Sequence, residues 1–114
     1  ASFLLKAEAF VRSNMSNESL NIDLLAKELN MSVRTLQRRL GLESTTFKRI
    51  VESVRRKEAL RLIQNPKLSV SGVAYSLGFA DVTSLSRAFR RWFGQSPEQY
   101  RKAMVRETEG LVLN

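Results

Sequence analysis

Cysteine and histidine are both missing from the 114 residues. Without thiols there is no disulfide and no thiolate metal site. Without imidazole, a zinc enzyme or a His-based triad is excluded within this chain. Proline occurs twice and glycine five times, which favours long helices over a succession of short strands and turns. No apolar run nears the ~20 residues that span a bilayer. The opening ASFLLKAEAF lacks the basic n-region of a signal peptide. A cytoplasmic chain with no membrane partner is expected. The carboxylates are scattered, no Gly-rich phosphate loop is present, and no nucleophile–base pair can be assembled. No catalytic, cofactor-binding or metal-ligating residues are therefore expected.

Apolar residues make up 43% of the chain, enough for a buried core. Nineteen Lys and Arg stand against 11 Asp and Glu, a net charge of +8. That excess suits a polyanion such as nucleic acid, an anionic membrane surface, or merely a solvated basic face. The placement of the charges has to decide.

Residues 3–15 read as a helix, with Phe3, Leu4, Ala7, Phe10 and Val11 at helical spacing. Asn21 is a candidate N-cap for a helix over 22–29, with Asp23 in its first turn. Asn30 suits the left-handed residue that ends it. Ser32 caps a third helix, and Met31 and Leu36 occupy the two positions of a hydrophobic staple. GLES (41–44) breaks the pattern. A long helix over about 45–64 carries Phe47, Ile50, Val51, Val54, Ala59, Leu62 and Ile63 along one stripe, and Asn65-Pro66 stops it. Ser69 then caps a helix to Leu77, Gly78 turns the chain, and Asp81 caps a helix over 82–93. Ser96, Pro97 and Gln99 form a capping-box start for a last helix to about Arg106. The domain reading is a first lobe over 1–44, a linker helix over 45–64, a second lobe over 65–106 and a tail over 107–114.

The middle of the chain repeats. Ala26, Leu29 and Met31 correspond to Ala74, Leu77 and Phe79 at an offset of 48, while Leu36, Arg38 and Leu40 correspond to Leu85, Arg87 and Phe89 at 49. Two helix-turn-helix units, the second with one extra residue in its turn, account for both offsets. In such a unit a small residue, Ala26 or Ala74, permits close helix contact, and Leu29 or Leu77 plugs the angle.

The second helix of each unit is one-signed on its outer side. At 100° per residue, Val33, Leu36 and Leu40 share one side of the third helix. Arg34 and Arg38 lie opposite, Thr35 lies beside them, and Gln37 falls at the edge. In the helix over 82–93, Leu85, Ala88, Phe89, Trp92 and Phe93 form the inner side. Thr83, Arg87 and Arg90 lie opposite, flanked by Ser84, Ser86 and Arg91. Neither outer face carries an acid. Arg can bridge guanine O6 and N7 or grip phosphate, Gln can pair with adenine, and Ser or Thr serve either role. Double-stranded DNA is the partner this pattern suits. A linker of about 19 residues would span roughly 28 Å, close to the ~34 Å between successive major-groove turns on one face of B-DNA.

Together these residues resemble the DNA-binding domain of the AraC/XylS family of bacterial transcription regulators, over about residues 20–101. The most specific stretch is VAYSLGFADVTSLSRAFRRWFGQSPEQYR. It is similar to that family's pattern at Ala74, Leu77-Gly78-Phe79, Arg87, Phe89, Gly94, Ser96-Pro97 and Tyr100-Arg101. Ala26, Met31-Ser32, Leu36 and Arg38 resemble its first unit, and Arg55 and Ala59 its linker. Ser44 stands where the family often has Gly.

The resemblance implies an all-α fold of about seven helices, with two helix-turn-helix subdomains joined by a long linker helix. It implies base-facing residues Arg34, Gln37, Arg38, Thr83, Ser86 and Arg87. The backbone set is Ser32, Thr35, Val82, Ser84 and Arg90. It further implies a C-terminal fragment of a cytoplasmic, nucleoid-associated regulator, with RNA polymerase as a partner and an effector ligand bound only by a separate domain. Two other readings stand beside it: a protein-interaction module using Trp92 and Phe93, for instance toward RNA polymerase, and a non-specific architectural DNA binder.

Overall fold

The computed structural model describes residues 2–113, with side chains through residue 107. Among the described residues there are seven helices and no strands: α1 Phe3–Ser13, α2 Ile22–Glu28, α3 Val33–Leu42, α4 Phe47–Ile63, α5 Val70–Ser76, α6 Val82–Phe93 and α7 Pro97–Leu113. The chain divides into two compact units, Ala1–Lys57 and Glu58–Asn114, with the division inside α4.

The apolar stripe of α4 serves two cores. In the first unit, Ile50 and Val54 are buried with Ala7, Val11, Met15, Leu25, Ala26, Leu36 and Leu40, and Phe47 and Val51 pack against them. In the second unit, Ala59 and Ile63 are buried with Val73, Ala74, Leu77, Leu85 and Phe89. Phe89 meets Phe93 with ring centroids 4.7 Å apart and Tyr100 at 5.7 Å. Such tilted and edge-on pairs add to the area the rings bury.

The caps follow the residues expected of them. The Asn21 side chain accepts the Leu24 N–H, and Ser69 Oγ accepts the Gly72 N–H. Ser96 Oγ accepts the Gln99 N–H while Gln99 Oε1 accepts the Ser96 N–H, a reciprocal box. Helix α1 ends at Ser13 rather than at residue 15, because Asn14 turns its side-chain amide onto the Phe10 carbonyl at 2.8 Å. Helix α3 does not break at Gly41. It runs through Leu42, and Ser44 ends it at φ 57°. Helix α4 begins at Phe47, with Thr46 Oγ1 accepting the Arg49 N–H. Helix α7 continues past Arg106 to Leu113. The stretch RETEGLVL has no proline, and its single Gly110 costs only about 1 kcal/mol against Ala, which lets the helix run on. Asn114 lies outside the described residues.

The basic stretch 55–61 is largely paired. Glu58 is buried and receives the Arg61 Nε, and burial lowers the pKa of half-buried Arg55 while Glu52 opposes that shift. Arg101 binds main chain far away in sequence. Its Nε donates to the Ile63 carbonyl at 3.1 Å, and its Nη2 donates to those of Asn65 and Leu68 at 3.3 and 2.8 Å. One guanidinium thus satisfies the end of α4 and the loop to α5.

Two positions test the turn geometry. Ser44 holds a left-handed backbone that glycine adopts without strain, so Ser44→Gly should stabilise the first unit by about 1 kcal/mol. Gly94 sits at φ 76° with open space where a Cβ would stand, so Gly94→Ala should cost roughly 1–2 kcal/mol from backbone strain alone. Urea midpoints check both, and opposite signs would refute the assignment.

Candidate nucleic-acid interface

The turns that present α3 and α6 are built alike. After α2, the Asn30 N–H bonds the Lys27 carbonyl at 3.1 Å and the Met31 N–H bonds the Ala26 carbonyl at 3.0 Å. After α5, the Gly78 N–H bonds the Tyr75 carbonyl at 3.1 Å and the Phe79 N–H bonds the Ala74 carbonyl at 3.0 Å. Both are Schellman closures, which need a left-handed residue at their centre. Asn30 at φ 56° and Gly78 at φ 78° supply it. The Ala26 and Ala74 side chains are buried beneath these turns. The next helix then starts at once on Ser32 in the first copy, but only after Ala80 in the second, where Asp81 is the cap. Ala80 is therefore the extra residue that turns an offset of 48 into 49.

Each second helix buries one side in its own unit and turns the other outward. Leu36 and Leu40 of α3 are buried, and Arg34, Gln37 and Arg38 are exposed. Gln37 lines an open groove of about 410 Å³ with Thr46 and Lys48. In α6, Leu85, Ala88 and Phe89 are buried and Thr83, Arg87 and Arg90 are exposed. Thr35, Val82, Ser84 and Ser86 are half-buried at the flanks, and Ser32 is exposed. Trp92 and Phe93 are half-buried, their rings 6.1 Å apart, and Trp92 stands 6.4 Å from Phe79. These rings belong to the second core and not to a free aromatic surface.

The caps at the two helix starts differ in chemistry. Ser32 Oγ accepts the Thr35 N–H at 3.1 Å and donates its own proton to Thr35 Oγ1 at 3.0 Å. The proton on Thr35 is thereby left as the donor. Asp81 Oδ1 accepts the Ser84 N–H at 2.8 Å. That bond, with the Ser84 hydroxyl, holds the Asp81 carboxyl below the usual carboxylate range; desolvation opposes it and the Arg87 charge adds to it.

Not every arginine of the basic segments belongs to these faces. The Arg39 guanidinium lies 4.3 Å from the Phe3 ring centre, a packing role inside the first unit. Arg91 approaches the Trp92 ring at 5.7 Å. Spacing put Arg38 on the outer side and left Arg39 unassigned, because the partner of Arg39 is 36 positions away. Among the described residues no cluster of side chains could hold a metal ion, and no helix is long and apolar enough to cross a membrane.

Comparison with known proteins agrees with this geometry. A family model for a helix-turn-helix domain matches residues 25–103. The chain belongs to the AraC-type helix-turn-helix family. One relative, the HTH-type transcriptional regulator VirS of Mycobacterium tuberculosis, is 42% identical over 79 residues, covering 69% of this chain and 23% of that protein. The transcriptional activator NphR of a Rhodococcus species is 32% identical over 103 residues, covering 90% and 31%. This chain therefore spans about a quarter to a third of those relatives' lengths.

Solved structures share the fold. A DNA-binding transcriptional dual regulator from Escherichia coli K-12 matches with a TM-score of 0.81 at 26% identity, over 90% of this chain and 98% of that one. The DNA-binding domain of AdpA, solved in complex with a target DNA, matches at 0.71 and 31% identity, over 90% and 93%. The family and the fold are thus those of DNA-binding domains of transcription regulators.

The Asp81 cap has a definite pH signature. A carboxylate whose folded pKa is lowered contributes stability above its unfolded pKa of about 4, and loses that contribution as pH falls through the folded value. Wild type should therefore lose stability relative to Asp81→Asn as pH drops below about 4. Asn caps equally well but does not titrate. Parallel unfolding curves for the two proteins down to pH 2 would contradict this.

Proposed function

We propose that Arg34, Gln37 and Arg38 on α3, and Thr83, Ser86 and Arg87 on α6, read base edges in the major groove. Ser32, Thr35, Val82, Ser84 and Arg90 position the domain on the phosphate backbone. The observation that supports this is the repetition: two copies of one turn, each followed by a helix whose exposed side carries arginine and no acid. Exposed helix faces ordinarily mix both signs. The guanidinium forks of Arg38 and Arg87 suit bidentate pairing with guanine. The hydroxyl proton of Thr35 and the Val82 N–H at a helix start suit phosphate oxygens.

The longer protein to which such a domain belongs is proposed to be a cytoplasmic, nucleoid-associated regulator that works with RNA polymerase. An effector ligand would act through a domain outside this chain. The activator and dual-regulator names of its relatives support that reading.

The test is substitution against sequence preference. Arg38→Ala and Arg87→Ala should each weaken binding to a selected duplex by roughly 1–3 kcal/mol, and should relax preference at a few neighbouring base pairs only. Binding titrations against duplexes varied one pair at a time read both effects. Equal weakening on every sequence would assign these side chains to the backbone and leave a non-specific binder.

A further inference from the structure

The offset of 48 that aligns the two turns also pairs Lys27 with Tyr75. Each is the next-to-last residue of the first helix of its motif, and each lends its carbonyl to the Schellman closure at 3.1 Å. The backbone at the two positions is thus matched, and both side chains are exposed. Tyr75 is 74% exposed, so its ring contributes little to the second core. An open groove of about 320 Å³ runs from Tyr75 and Ser71 past Phe79 and Ala80 to Asp81 and Val82, the start of α6. Tyr75 therefore shares a groove with the start of α6.

We infer that positions 27 and 75 are a matched pair of contacts to the sugar-phosphate backbone, ionic in the first motif and neutral in the second. The inference rests on the outward faces of α3 and α6 being the DNA-facing ones. A lysine ammonium neutralises a phosphate and releases a counterion. A tyrosine can give its phenol proton to a phosphate oxygen while its ring lies against the deoxyribose, without counterion release. The one carboxylate in the groove, Asp81, is held by the Ser84 N–H and lies in the field of Arg87.

The experiment titrates the 114-residue chain, with Lys27→Gln, Tyr75→Phe and Tyr75→Ala variants, against two duplexes. One duplex is enriched from a random pool and the other is its scramble. Both are measured across a range of salt, with helix content confirming that each variant is folded. Lys27→Gln is expected to weaken both duplexes by the same factor and to reduce the steepness of the salt dependence by about one phosphate. Tyr75→Phe is expected to weaken both by several-fold with the salt dependence unchanged, and Tyr75→Ala by more.

Unchanged affinity in folded Tyr75→Ala would overturn the pairing. So would a loss confined to the selected duplex, or loss of RNA polymerase recruitment with DNA affinity intact. Failure of the base-reading assignment is separate. It shows as equal affinity of the wild type for both duplexes, while the positions argued here are judged on the scramble.

Discussion

Two main-chain hydrogen bonds close the turn after α2, and the same two close the turn after α5. Each pair needs one residue in the left-handed region and one small side chain beneath it. Asn30 and Ala26 meet that need in the first motif, Gly78 and Ala74 in the second. The direction in which α3 leaves α2, and α6 leaves α5, follows from these bonds and from the core beneath them. A longer side chain at Ala26 or Ala74 would have to displace the neighbouring helix in a close-packed interior, where cores tolerate little added volume. The arrangement of outward side chains is therefore inherited from the turn.

Charge alone would have been a poor guide to the interface. Of the cations that make the chain basic, several are engaged with the protein itself. Arg101 holds three carbonyls, Arg61 holds buried Glu58, and Arg39 covers Phe3. Arg34, Arg38, Arg87 and Arg90 stand on exposed helix sides where no acid interrupts them. An uninterrupted positive side concentrates field toward a polyanion, whereas the paired cations elsewhere contribute little at a distance.

Much of this was legible in the sequence because its signals are local. The capping residues at 21, 32, 69, 81 and 96 each act within three positions and can be read without knowing the fold. The apolar spacing of α4 announced a long helix, and its division between two cores follows from where its neighbours in sequence lie. The unread parts depend on distant partners or on competition between weak terms. Arg101 reaches carbonyls more than 30 positions away. The end of α3 is decided by Ser44 taking a strained backbone rather than by Gly41, and glycine's weaker helix propensity misplaces it. The extra residue of the second motif was countable from the offsets, and the caps Ser32 and Asp81 place it at Ala80. For the candidate site, the helical wheel separated inner from outer side chains. It said nothing of the hydroxyls already spent on caps, nor of which neighbouring arginine packs on a ring.

The measurement that bears most directly on this account is selection of duplexes from a random-sequence pool by the isolated 114-residue chain. Two outward helices that each read bases should enrich a defined site with two separate blocks of strong preference. Retention of DNA with no enriched sequence, or a single block that persists when the outer side of either helix is stripped of its side chains, would contradict it.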